Sequence, residues 1–123
     1  MAINVLVCDD VANFRLLTKK VLTEDGYFVH TAADGHEALE MINNRPDIQL
    51  LVLDIKLPDI NGLEVLGRVR IKNKTLPVIM ISGYTSTESI LQAKKLGIQG
   101  FFTKPINWDQ FREKVKEILK NAK

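Results

Sequence analysis

The sequence predicts a doubly wound α/β domain, a five-stranded parallel sheet of (βα)5 type, and three observations carry that prediction. Five short apolar runs recur along the chain, stretches with helical apolar spacing lie between them, and turn-forming residues mark the joins. Three of the runs are apolar at nearly every position rather than every second one, as expected of strands covered on both faces.

The first strand is expected at residues 3–8 (INVLVC), followed by a helix whose apolar stripe is Phe14, Leu17 and Val21 and which Asp25-Gly26 stops. The second strand, 27–31, leads to a helix using Ala38, Leu39 and Ile42, with Pro46 and Asp47 separating it from the next strand. The third strand, 50–53 (LLVL), precedes a helix on Leu63, Leu66 and Val69. The fourth, 78–81 (VIMI), precedes one on Ile90, Leu91 and Ala93 that Gly97 ends. The fifth, 100–103, precedes a helix on Phe111, Val115, Ile118 and Leu119. Parallel strands need crossovers, and helices on both faces of the sheet supply them.

A chain of 123 residues has the usual size of one compact domain, so residues 1–123 are expected to form one. A composition of 46% hydrophobic and 26% charged residues excludes a disordered or fibrous chain. The formal charge is only +2, and Lys114, Lys116, Lys120 and Lys123 alternate with Glu113, Glu117 and apolar positions, which describes a solvated helix face rather than a nucleic-acid surface. Cys8 is the only cysteine, so no intrachain disulfide forms, and it is expected to be buried. No apolar stretch is long enough to cross a membrane, and the cytoplasm is the expected compartment.

The residues that end the strands are the informative ones. The first strand runs into Asp9-Asp10, the third into Asp54, the fourth into Ser82 and the fifth into Lys104-Pro105. In open parallel sheets ligands bind beyond the carboxyl ends of the strands, so four strands aim polar groups at one place. Each residue also has a plainer reading: Asp10 as the N-cap of the first helix, Asp54 as a loop carboxylate, Ser82 as a turn residue, Lys104 as a surface lysine. Together these weaken, because three carboxylates held a few ångströms apart repel by roughly 4 kcal/mol per pair at an effective dielectric of 20. Oxygen ligands with room for water suit Mg²⁺ (or Mn²⁺), and Lys104 adds a second positive charge. A carboxylate beside such cations can attack a phosphoryl group, with the Ser82 hydroxyl binding one of its oxygens.

The segments VLVCDD, LVLDIKLPDINGLEVL, VIMISGY and GFFTKPI, in this order and spacing, resemble the receiver domain of bacterial two-component response regulators over nearly the whole chain. The resemblance implies a flavodoxin-like three-layer fold of strand order 2-1-3-4-5. It implies Asp54 as phosphoacceptor, Asp9, Asp10 and Asp54 as metal ligands with the backbone carbonyl of Lys56, and Ser82 and Lys104 as phosphoryl contacts. It also implies a cis Lys104-Pro105 bond, which proline tolerates. The donor would be a histidine kinase or histidine phosphotransfer protein, and the output a protein effector. Ser82 and Phe101 would form the switch, with Phe101 standing where many relatives carry Tyr or His. Leu57 replaces a common Met in a volume-conserving exchange. Lys56 and Tyr84 are expected to flank the route of water to the phosphoryl group.

Other candidates read as structural: His30 on a strand, His36 at a helix start, Met41 and Met80 in the core, and Trp108 in packing. A phosphatase using Asp54 would want a second acid at position 56, which is Lys. A flavin phosphate would be repelled by the acidic cluster. The remaining alternative is a receiver-like interaction module that is never phosphorylated, against which the full set of acids, hydroxyl and lysine argues. A chain that starts with Met and stops as its last helix ends reads as a stand-alone regulator.

Overall fold

The computed structural model describes residues 2–83 and 86–120. Its elements alternate throughout: β1 (Asn4–Cys8), α1 (Ala12–Glu24), β2 (Phe28–Ala32), α2 (Gly35–Asn44), β3 (Ile48–Asp54), α3 (Gly62–Lys72), β4 (Val78–Ser82), α4 (Thr87–Leu96), β5 (Gly100–Thr103) and α5 (Trp108–Leu119). All strand pairs are parallel and the order is β2-β1-β3-β4-β5, the topology that the resemblance implies.

The continuous apolar character of the strands is explained by two cores. Leu6, Cys8, Leu51, Leu53, Val78 and Met80 face α2, α3 and α4, while Val5, Val7, Leu50, Val52, Ile79 and Ile81 pack with Phe111, Val115 and Leu119 of α5 and with Leu22 of α1. Successive strand residues point to opposite faces, so a sheet buried on both sides needs both sets to be apolar. At roughly 2 kcal/mol for each large side chain buried, these layers outweigh the repulsion among a few carboxylates at one end of the sheet.

Two helical stripes differ from expectation. In α1 Leu17 is exposed, and Thr18 takes the buried place beside Val21 and Leu22, its hydroxyl bonding back to the Phe14 carbonyl at 2.8 Å. A hydroxyl satisfied on its own helix can be buried where the apolar pattern alone would not place it. In α4 Leu91 is exposed and Ala93 is buried against the sheet. The strand ends also shift, with β3 and β4 running on to include Asp54 and Ser82 themselves. Asp54 and Ser82 are thereby fixed by the sheet rather than carried on loops.

Candidate functional site

The carboxyl ends of β1 and β3 bring three acids together. Asp9, Asp10 and Asp54 each place a carboxylate oxygen within 4.8 Å of the others, Asp9 and Asp54 buried and Asp10 exposed at the mouth. Asp9 directly follows β1, its amide bonded to the Ala32 carbonyl at 3.1 Å. Asp54 ends the central strand β3, and the Lys56 amide donates to its Oδ1 at 3.2 Å.

Asp10 is not the cap of α1. The N-cap is Val11, with no side-chain cap, and it is Asp9 Oδ1 that accepts from the Val11 amide at 2.8 Å. The capping reading of Asp10 therefore falls, leaving its carboxylate directed to the acidic cluster.

Lys104 is no surface lysine. Its amide donates to the Ser82 carbonyl at 2.9 Å, which carries it on the sheet's edge, and its Nζ lies 3.0 Å from Asp9 Oδ2 and 3.1 Å from Asp54 Oδ2. The following peptide, Lys104-Pro105, is cis. The same ammonium lies 4.2 Å from the centre of the Phe14 ring, which in turn packs on Trp108. Phe14 was legible only as a core position of α1; four residues beyond Asp10, it faces the site across the first turn of the helix. Trp108 packs edge-on against Phe111, the structural role expected of it.

One ammonium among three carboxylates leaves the cluster short of positive charge. Burial first, and then the charge of Asp9, pushes the Asp54 carboxyl up to about 6, against the opposing pull of Lys104. Lys104 is shifted upward in spite of its desolvation, because both carboxylates hold its proton. A hard divalent cation fits this donor set of carboxylate oxygens, with Asp10 exposed where water can complete the coordination. Mg²⁺ is the ion that such an acidic triad suits.

Ser82 is fully buried at the end of β4, one residue beyond the position paired with Asp54, and opposite Thr103 of β5. Phe101 is half-buried against the α2–α4 core, opposite Met80. Lys56 is exposed beside the site, and Tyr84 lies outside the described residues, as does Lys123. Cys8 is buried, with its thiol pushed up by burial and then by the neighbouring carboxylates, and is inert for nucleophilic chemistry. His30 bonds Asn4 and His36 bonds Asp59, both outside the acidic cluster, while Met80 is core and Met41 half-buried against it. A cavity of about 640 Å³ lies between α2 and α3, away from the acids.

The sequence matches the response regulator receiver domain family over residues 5–116. It is 34% identical over 116 residues to sporulation initiation phosphotransferase F of Bacillus subtilis, covering 94% of this chain and 92% of that protein. Among solved structures, a CheY-like receiver domain protein from Methanospirillum hungatei superposes with a TM-score of 0.93 at 33% identity, covering 98% of this chain and 95% of the other. The response regulator TrrA of Thermotoga maritima, solved with Mg²⁺ and a beryllium fluoride, superposes with a TM-score of 0.86 at 38% identity, covering 95% and 99%. No described helix is long and apolar enough to cross a membrane.

Proposed function

Because the chain belongs to the response regulator receiver family, we propose that it accepts a phosphoryl group on Asp54 from a phosphohistidine of a histidine kinase or histidine phosphotransfer protein. A receiver is a phosphoacceptor switch of two-component and phosphorelay systems, and its product is a modified self rather than a released molecule. We read residues 1–123 as one such domain, acting in the cytoplasm on a protein effector.

The observation that carries this reading is the position of Asp54: buried at the end of the central strand, faced by Asp9 and held by the Lys104 ammonium at 3.1 Å. Transfer forms a bond from an Asp54 oxygen to phosphorus as the phosphorus–nitrogen bond to the donor imidazole breaks, the imidazole leaving with the electron pair. Asp9, Asp10 and Asp54, with the Lys56 carbonyl, would hold Mg²⁺, which would supply charge neutralisation as the anionic group approaches. Lys104 is already placed against the nucleophile, and its ammonium turns from carboxylate to phosphoryl oxygen. The Ser82 hydroxyl binds a second phosphoryl oxygen and, with Phe101, relays the change to the rest of the domain.

Incubation with a small phosphodonor tests the assignment. Phosphate incorporation is expected to need a divalent ion and to vanish in Asp54→Ala. Incorporation at the parent level in that variant, or in excess chelator, sinks the reading, and no incorporation in the parent leaves the unphosphorylated interaction module in its place.

A further inference from the structure

Resting on the reading of Asp54 as a metal-dependent phosphoacceptor, we propose that Asp59 is a positioning residue that holds the acceptor loop against the start of α2 and thereby keeps the Lys56 carbonyl directed at the metal site.

Residues 55–61 form an arc between β3 and α3. Its base is closed by the Gly62 amide, which donates to the Ile55 carbonyl at 2.7 Å. Gly62 permits this approach, since a Cβ there would overlap the Asp54 carbonyl. The base of the arc is thus fixed, but the Lys56 carbonyl lies on the span above it.

The tip of the span is tied by Asp59. Its Oδ1 accepts from the Gly35 amide at 2.9 Å, and its Oδ2 accepts from the His36 amide at 2.8 Å and meets His36 Nδ1 at 2.6 Å. Helix α2 has its own cap, Asp34, which accepts from the Glu37 amide at 2.8 Å. The first two amides of α2 are therefore left over by the local cap and are satisfied by a carboxylate 23 or 24 residues away in sequence. Ile60, next along the arc, packs so closely on Gly35 that a Cβ at that position would fall 2.5 Å from its Cγ1. A desolvation that would raise the Asp59 carboxyl is overridden by the His36, Gly35 and Ile60 amides and the His36 ring, which hold it well below the usual carboxylate range.

The arc is consequently fastened at two points, on α3 at its base and on α2 at its tip. Cutting the tip leaves it held by the packing of Leu57 and Ile60, which restrains position but not the orientation of a carbonyl. Neither Asp59 nor His36 touches the acids, so their effect on the metal is exerted through the loop alone.

The test is calorimetric titration of Mg²⁺, with amide exchange by NMR and small-donor phosphorylation, on the parent, Asp59→Ala, Asp59→Asn and His36→Ala. Asp59→Ala is expected to speed exchange at Gly35 and His36 and to weaken Mg²⁺ binding roughly tenfold. Its phosphorylation rate should return to near the parent value at saturating Mg²⁺. Asp59→Asn, which keeps the side-chain volume and one acceptor oxygen, is expected to fall between, and it carries the test if Asp59→Ala does not fold. His36→Ala leaves both amide bonds in place and should change Mg²⁺ affinity little. Faster exchange with unchanged Mg²⁺ affinity would mean that Asp59 serves α2 only and overturns the proposal, as does exchange that does not respond. A parent protein that binds no Mg²⁺ overturns the functional reading itself, before Asp59 is altered.

Discussion

With no metal bound, Asp54 is a carboxylate short of solvent and faced by a second carboxylate, and its affinity for a proton follows from that. Its carboxyl is raised from 3.8 to about 6, by burial and then by Asp9. A folded-state value above the unfolded one means that the folded protein binds the proton more tightly, so this group destabilises the fold at pH 7 and ceases to do so as pH falls below both values. Screening at the open mouth of the site keeps the effect to about 1–2 kcal/mol. In metal-free protein, Asp54→Asn should therefore be more stable than the parent at pH 7–8, with the excess shrinking toward zero between pH 6 and 4. Urea denaturation across that range measures it, and an excess that does not vary with pH refutes the account. The acids, the serine and the lysine were legible in the sequence because each ends a strand whose apolar run is unmistakable. Asp59 and Phe14 were not, because their meaning depends on which helix packs beside them.

At the scale of elements, α4 is fastened at one end by a residue that sequence pattern alone assigns to solvent. Arg70, adjacent to the buried Val69 of α3, is itself buried, and its guanidinium donates to the carbonyls of Leu96 at 3.2 Å, Gly97 at 2.7 Å and Asn73 at 3.0 Å. No carboxylate pairs with it among the described residues; its charge lies against the negative end of the α4 dipole. Arg70→Met should cost about 2 kcal/mol or more, since it leaves terminal carbonyls unpartnered, and Arg70→Lys should not restore it, because an ammonium cannot fork to several carbonyls. Chemical denaturation decides it: a loss below measurement error in both variants would mean that water replaces the guanidinium. The five strands and five helices were readable from apolar period and punctuation, while Arg70, like Thr18 in α1, was not. Both satisfy their polar atoms on backbone carbonyls, a solution that a hydrophobic pattern does not record.

In the whole molecule, the proposed site and the proposed switch residue lie on neighbouring strands. Ser82 ends β4 and Phe101 lies on β5, with Met80 opposite Phe101 and Thr103 opposite Ser82. On the proposed reading, a phosphoryl oxygen is expected to draw the Ser82 hydroxyl, and Phe101 to turn further into the α2–α4 core. Lacking a hydroxyl, Phe101 is biased by packing alone, so an inward population is expected before phosphorylation. Ser82→Ala should still be phosphorylated while the NMR shift of the Phe101 ring on addition of a phosphoryl mimic is lost; a ring shift of parental size in that variant removes Ser82 from the route. The doubly wound class was legible from the alternation of strands and helices, whereas the strand order and the conformational coupling were expected only through resemblance. The Lys104 ammonium reaches Asp54 from 50 residues away and Asp9 from 95. The acids are thus gathered by β1 and β3, while the ammonium that faces them is brought by the segment after β5. Loss of β5 from the edge of the sheet would leave the acids facing one another without that ammonium.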